Sequence, residues 1–222
     1  RPRMPVYPSA EAALAADVSD RGATIHLDGV WEFLYFATPA AAAETLDAVL
    51  ASTAPARLDW ESIEVPGNWS LQGWDAPHYT NIQMPFIDTY PEPPAANPTG
   101  VYRRSFTLPP GDPSSALDRL PQRVVLHIGG AESVAVLWVD RSFVGVAKDS
   151  RLESEFDLTT HLAGDGTHEL LIMVVRYSDG SFIEDQDQWW FGGIHREVYI
   201  RREPALHPRH FRLTPELAED NR

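Results

Sequence analysis

The sequence predicts an all-β domain, built as an antiparallel β-sandwich or jelly roll. Short segments rich in β-branched and aromatic residues recur through the second half of the chain, separated by Gly, Pro and Asp turns. The chain has 222 residues, 43% of them hydrophobic, which is enough for one large β core. A stretch rich in Pro and aromatic residues, 66–100, interrupts the pattern. Long aromatic loops of this kind are typical of function rather than of disorder.

The first predicted elements are a hairpin and a helix. Thr24–Leu27, the tight-turn pair Asp28-Gly29 and the aromatic run Val30–Phe36 predict two paired strands. The Ala-rich segment Ala40–Leu50 carries large apolar residues at helical spacing and predicts a short helix. Seven further strands are predicted at Val101–Leu108, Arg123–Ile128, Ser133–Val139, Phe143–Val146, Ser154–Leu158, Glu169–Tyr177 and Glu197–Arg201.

These elements predict one domain with two extensions. Residues 1–24 are rich in Pro and Ala and are expected to form an N-terminal arm with one short helix at Glu11–Ala16. Residues 25–204 make up the predicted sandwich. Residues 205–222 contain two Pro and several charges, which favour a linker into a domain that this chain does not contain.

Composition excludes several classes of function. The 18 basic and 32 acidic residues give a net charge of −14, which disfavours nucleic acid and anionic membrane as partners. The absence of Cys excludes disulfides, thiol nucleophiles and Cys-ligated zinc. No apolar run reaches the roughly 18 residues that span a bilayer, and no signal-peptide pattern follows the first residue.

Motifs for self-contained catalysis are also missing. The chain has no G-x-S-x-G nucleophile elbow and no P-loop, and no two of its His residues have the H-E-x-x-H spacing. His127 falls in a strand pattern and is expected to be an ordinary sheet residue. Glu184, Asp185 and Asp187 supply three carboxylates, but neighbours in one loop seldom face each other across a sugar. We therefore expect no catalytic residue in this chain.

Aromatic residues are concentrated in two loops, Trp69–Tyr90 and Phe182–Phe191, beside carboxylate and amide groups. A sugar ring packs its C–H face on an aromatic ring, while its hydroxyls bond to Asp, Asn or Gln. Strand alternation cannot send all of Trp189-Trp190-Phe191 inward, so at least one of them is expected to line a cleft or an interface. Three other aromatics, Trp31, Trp138 and Phe156, are expected in the core.

Several runs together resemble a known family, the N-terminal sugar-binding domain of glycoside hydrolase family 2 β-galactosidases. The runs that carry the resemblance are Pro66–Trp69, His78–Pro85, Asn97–Arg104, Asp149–Leu158, Tyr177–Trp189 and Gly192–Val198. The Asn-Trp and Gly-Gly-Ile-x-Arg motifs are shared with β-glucuronidases. The Tyr-Thr-Asn and Glu-Asp-Gln-Asp-x-Trp loops are specific to the β-galactosidase branch.

The resemblance implies a jelly roll beside a (β/α)8 barrel that holds two catalytic Glu residues for retaining hydrolysis of β-D-galactosides. It assigns substrate binding to Asn81, Asp187 and Trp189, with Asp187 also ligating a Na+ shared with the barrel. The alternatives are a loop-capping role for Asp187 and an Asx-turn role for Asn81. It further implies a cytoplasmic, homo-oligomeric parent, with an immunoglobulin-like domain following the linker.

One position departs from the family pattern. Some β-galactosidases of this branch hold an outer Mg2+ partly by a Gln before the Asp-Ser-Arg run and by the Asp of Ser-Asp-Gly. Here the Gln position is Lys148, while Asp179 is retained. An ammonium group has no lone pair to donate and could pair with Asp179 instead. We expect this outer Mg2+ site to be absent.

Two other functions remain open from the sequence. The chain could be a freestanding carbohydrate-binding module whose whole site lies on the sandwich. It could also be a purely structural or oligomerisation domain, with its exposed aromatics covered by a partner.

Overall fold

The computed structural model describes residues 7, 10–15, 24–51, 58–86, 90–110, 120–162, 164, 166–207, 212 and 214–215. Most of the predicted arm and of the predicted linker lies outside these residues. Three helices occur in the described part: α1 Ala10–Ala15, α2 Pro39–Ala51 and the single-turn α3 Ser181–Glu184. The two longer ones confirm the helices predicted from composition and spacing.

Strands dominate the same residues, with one short 3-10 helix at Trp69–Leu71. The strands are β1 Thr24–His26, β2 Gly29–Phe36, β3 Glu61–Val65, β4 Gly67–Asn68, β5 His78–Thr80, β6 Thr99–Leu108, β7 Gln122–Ile128, β8 Ala131–Glu132, β9 Val134–Val139, β10 Ser142–Lys148, β11 Ser154–Asp157, β12 Gly166–Val175, β13 Gln188–Trp190, β14 Gly193–Ile194 and β15 Val198–Pro204.

Two antiparallel sheets form the sandwich. The larger has the strand order β10-β9-β12-β6-β2-β3, and the smaller has the order β1-β15-β7-β11. The long strands β6 and β12 pair over ten residues in the middle of the larger sheet. The predicted jelly-roll β-sandwich is confirmed.

The predicted hairpin of β1 and β2 is wrong. Strand β1 pairs with β15 in the smaller sheet, whereas β2 pairs with β3 and β6 in the larger one. The Asp28 carboxylate accepts the N–H of Val198 at 2.8 Å, which fixes the turn to β15. Gly29, at a φ of 117°, then directs the chain into the other sheet.

Aromatic side chains fill the space between the sheets. Trp31, Phe33, Trp69 and Tyr102 are almost fully buried, and the ring centroids of Phe33 and Tyr102 are 4.8 Å apart. Phe156 joins this core, as predicted for it and for Trp31. Each such side chain contributes about 1.5–3 kcal/mol through burial.

Helix α2 covers the opposite face of the larger sheet. Its residues Ala42 and Leu46 are buried against Val101 and Leu171. Because side chains alternate along a strand, Val101 faces this helix while the next residue faces the central core. Trp138 packs against this second cluster rather than the main core. Among the described helices, none has the length and apolar character that a bilayer crossing requires.

Candidate functional site

A two-stranded ladder brings the two aromatic loops together. Strand β5 belongs to the first loop and β13 to the second, and they pair antiparallel across more than 100 residues of chain. Asn81 follows β5 and Asp187 precedes β13, so both stand at the same end, which we call the tip of the ladder. The paired residues are Thr80 with Gln188, Tyr79 with Trp189, and His78 with Trp190.

A side-chain hydrogen bond closes the tip. The Tyr79 hydroxyl donates to Oδ1 of Asp187 at 2.5 Å. This bond to an anion raises the pKa of Tyr79 above its ordinary value, because the phenol proton is shared with the carboxylate. Asp187 is exposed, and its second oxygen makes no hydrogen bond within the described part of the chain. That oxygen is available to a hydroxyl or a cation.

Asn81 is also exposed at the tip. Its amide oxygen accepts the backbone N–H of Ile82 at 2.8 Å, so the local turn role considered from the sequence is present. Among the described residues, the amide nitrogen of Asn81 donates to no acceptor. Both of its hydrogens are therefore available to a ligand. A turn role and a ligand role are therefore compatible in this side chain.

The three consecutive aromatics split between interior and surface, as alternation predicts. Trp190 is 1% exposed, and its indole N–H donates to Oγ1 of Thr80 at 2.8 Å. Trp189 is 51% exposed. Its ring stacks on Phe191 at a centroid distance of 5.9 Å and lies 5.4 Å from the ring of Tyr79. The tip therefore presents a flat aromatic surface next to a carboxylate and a carboxamide.

The motifs shared with the wider family hold this surface on the sandwich. The Ser70 hydroxyl donates to the backbone oxygen of Phe191 at 2.8 Å. The backbone N–H of Trp69 donates to the backbone oxygen of Gly192 at 3.2 Å. Gly193 pairs with Asn68 in the short sheet of β4, β14 and β8. The Asn-Trp turn and the Gly-Gly run thus act as one support.

One carboxylate of the acidic cluster, that of Glu184, has a structural role. The Glu184 carboxylate accepts the backbone N–H and the hydroxyl of Ser150 at 2.8 and 2.5 Å. Gln188 accepts from Arg151 at 2.8 Å and donates to the Glu184 backbone oxygen. These bonds join the Asp-Ser-Arg run to the second loop. Within the described residues no three His, Asp or Glu side chains are grouped as a metal site.

Lys148 and Asp179 form the ion pair considered from the sequence. The ammonium lies 2.7 Å from Oδ1 and 2.9 Å from Oδ2 of the carboxylate. The Lys148 hydrogen bond, with help from the Gly180 N–H at 2.9 Å, lowers the pKa of the Asp179 carboxyl. The ammonium group therefore contacts both carboxylate oxygens of Asp179. An open cleft of about 420 Å³ lies beside the pair.

Two buried charged groups near the loops were not predicted from the sequence. Arg176 contacts both loops, and Glu132 lies 2% exposed beneath the second one, with its pKa raised by burial. Arg176 directly precedes the Tyr177–Trp189 run, but nothing in the sequence identified its partners.

Comparisons with known proteins agree with this architecture. The family model described as glycosyl hydrolases family 2, sugar binding domain, matches residues 25–204. A β-galactosidase of Pseudoalteromonas haloplanktis is 42% identical over 193 residues, covering 86% of this chain and 18% of that protein. One of Vibrio cholerae is 41% identical over 198 residues, covering 86% and 18%.

Solved structures share the fold at low identity. A β-glucuronidase from an uncultured Clostridium species has a TM-score of 0.56 at 19% identity, covering 84% of this chain and 30% of that one. A β-galacturonidase from Eisenbergiella tayi has a TM-score of 0.53 at 19% identity, covering 89% and 27%. The chain spans about a sixth to a fifth of the length of the β-galactosidases that it matches. It belongs to the family of sugar-binding domains of the family 2 glycosyl hydrolases.

Proposed function

We propose that this chain is the sugar-binding domain of a β-galactosidase, and that the ladder tip forms one wall of the galactoside site. Relatives about 40% identical over most of the chain are named β-galactosidase, which supports this substrate class. The observation that carries the proposal is the meeting of Asn81, Asp187 and the half-exposed Trp189 on one exposed surface.

The chemistry of the wall suits a galactosyl unit. The indole face of Trp189 packs against the apolar C–H face of the sugar ring. The Asp187 carboxylate accepts from a sugar hydroxyl, and the Asn81 amide donates to another. Tyr79 holds the Asp187 carboxylate in place through its 2.5 Å bond, so the acceptor is oriented before the sugar arrives.

Asp187 also suits the Na+ that the family resemblance implies. A carboxylate oxygen is a preferred ligand for a hard cation, and one oxygen of Asp187 is free of protein hydrogen bonds in the described residues. The cation would supply positive charge beside a sugar hydroxyl. We propose that its remaining ligands belong to the barrel, as the family resemblance implies.

The reaction itself requires groups outside this chain. Retaining hydrolysis uses two carboxyl groups on opposite sides of the glycosidic bond. The loop carboxylate of Glu184 is committed to Ser150 and is not such a group. We therefore propose that the chain has no turnover alone. On the family resemblance we also propose that its parent is a cytoplasmic homo-oligomer.

The Lys148–Asp179 pair supports the proposal that the outer Mg2+ site is absent. Millimolar MgCl2 should then leave the thermal transition of the chain unchanged. Lys148→Ala is the matched variant, since it releases the Asp179 carboxylate. A Mg2+-dependent rise in the transition temperature of the unaltered chain would contradict the proposal.

Two assays separate this function from a freestanding carbohydrate-binding module. A chromogenic galactoside should be hydrolysed by the chain at background rates only. Calorimetry with lactose should give millimolar or undetectable affinity, because half a site encloses little of a sugar. Micromolar affinity would favour the binding module. Hydrolysis that is abolished by Asp187→Ala would show that a complete active site lies in this chain.

The exposed side chains Tyr79, Ile82 and Trp189 also fit a surface that another domain covers. We propose that the remaining domains of the parent chain cover it. A purely structural domain would show no galactoside-induced NMR shift of Asn81 or Trp189 at the tip.

A further inference from the structure

A buried guanidinium joins the two loops at the base of the ladder, the end opposite the tip. Arg176 is 3% exposed and follows β12. Its Nη1 donates to the Asp75 carboxylate. Its Nη2 donates to the backbone oxygen of Trp190 and, at 3.4 Å, to that of Ala76. One side chain therefore contacts both loops.

The contacts lie where each loop meets the ladder. Asp75 and Ala76 are just before β5, and Trp190 is the last residue of β13. In the antiparallel register Trp190 is opposite His78, so the guanidinium is next to the first rung. Asn81 and Asp187 are at the other end, beyond the third rung.

The Asp75 side is itself fixed in conformation. Asp75 has a φ of 68°, a left-handed conformation that Asp adopts more readily than most residues. Its Oδ1 accepts the N–H of Ala76 at 2.8 Å while its other oxygen receives the guanidinium. The direction in which the chain enters β5 is thus coupled to the position of Arg176.

We infer that Arg176 is the positioning residue of the sugar-binding wall, because it sets the relation of β5 to β13. This inference rests on the proposed function of the tip. The planar guanidinium can serve a carboxylate and carbonyl oxygens at once, whereas an ammonium has no such fork. A three-residue ladder with two loop connections has little stability of its own, so its geometry depends on this anchor.

Hydrogen exchange tests the inference without any sugar. Arg176→Lys keeps the charge, and Arg176→Met removes it. Amides of 78–80 and 188–190 should exchange about tenfold faster or more in both variants, because breaking a buried hydrogen-bonded pair is costly. Strand β6 should stay protected in the Lys variant. Arg103→Met is the matched control, since it breaks a two-bond Arg–carboxylate pair with Glu32, at 2.7 Å each, within the large sheet.

The outcomes are distinct. The inference is overturned if Arg176→Lys leaves the exchange of the ladder amides unchanged, or if it accelerates exchange equally in the ladder and in β6. It is also overturned if Arg103→Met accelerates exchange in the ladder to the same extent. If Arg176→Met does not fold, the Lys variant alone decides. A galactoside-induced shift of the Trp189 indole resonance, measured in parallel, should weaken in Arg176→Lys and persist in Arg103→Met. If the unaltered chain shows no such shift, the proposed function of the tip is wrong. Hydrogen exchange of the ladder amides still tests the role of Arg176 in that case.

Discussion

The support beneath the aromatic surface predicts a strong effect of Gly192→Ala. Gly192 has a φ of 74°, a conformation that L side chains rarely adopt. A Cβ at this position would lie 2.6 Å from Cε2 and 3.0 Å from Cη2 of Trp69. Trp69 is fully buried between the sheets, so its ring has little freedom to move away.

The expected cost has two parts. The left-handed backbone costs about 1–2 kcal/mol for a residue with a Cβ. Overpacking against the fixed indole adds about 1–3 kcal/mol. The sum is about 2–5 kcal/mol, which corresponds to a fall in transition temperature of about 4–20 °C for a chain of this size.

Thermal unfolding followed by circular dichroism measures this cost. Gly73→Ala is the matched control, because Gly73 has a φ of 107° and no atom within 4 Å of the added Cβ. It should lose only the backbone part, about 1–2 kcal/mol. Equal losses at the two glycines, or a smaller loss at Gly192, would refute the packing argument.

Other buried or hydrogen-bonded groups give three further predictions. Asn97→Ala should destabilise the chain by about 2–4 kcal/mol in denaturant titration, since buried Asn97 bonds both backbone groups of Tyr177, at 2.9 and 3.0 Å; a loss under about 0.5 kcal/mol would contradict it. Burial, with nearby arginines, lowers the pKa of His195 from 6.5 to about 4, so the unfolded state binds the extra proton. Stability should therefore fall as pH drops from about 6.5 to about 4, by at most about 1.4 kcal/mol per unit, and His195→Gln should remove that part of the pH dependence. Asp187→Asn should lower the pKa of Tyr79 toward 10.0 in an alkaline NMR titration, because the anionic acceptor is lost; no change would show that Asp187 does not hold the phenol proton.

The long strands were predictable because runs of β-branched and aromatic residues lie between turn signals. β6 and β12 are examples, each extending ten residues in the structure. The hairpin prediction failed because a turn dipeptide says nothing about which strand will pair with its neighbours. The Asp28 carboxylate instead accepts the N–H of Val198 in β15, 170 residues away along the chain. A pairing at that distance leaves no local pattern in the sequence.

The site was predictable in composition but not in geometry. The consecutive aromatics required one ring at the surface, and Trp189 is that ring. Strands as short as β5 and β13 have too few residues to show a hydrophobic period. The sequence therefore did not predict the ladder that brings Asn81 and Asp187 to the same end. The contacts of Arg176 likewise depend on tertiary packing alone.

Ligand mapping by NMR tests whether a galactoside binds at the ladder tip. The chain would be titrated with methyl β-D-galactoside, following the Asn81 side-chain amide and the indole N–H of Trp189. We expect saturable, weak shifts at both groups, little shift at the buried indole of Trp31, and loss of the response in Asp187→Ala. Shifts confined to other surfaces, or a response that survives Asp187→Ala unchanged, would contradict a sugar-binding wall at the ladder tip.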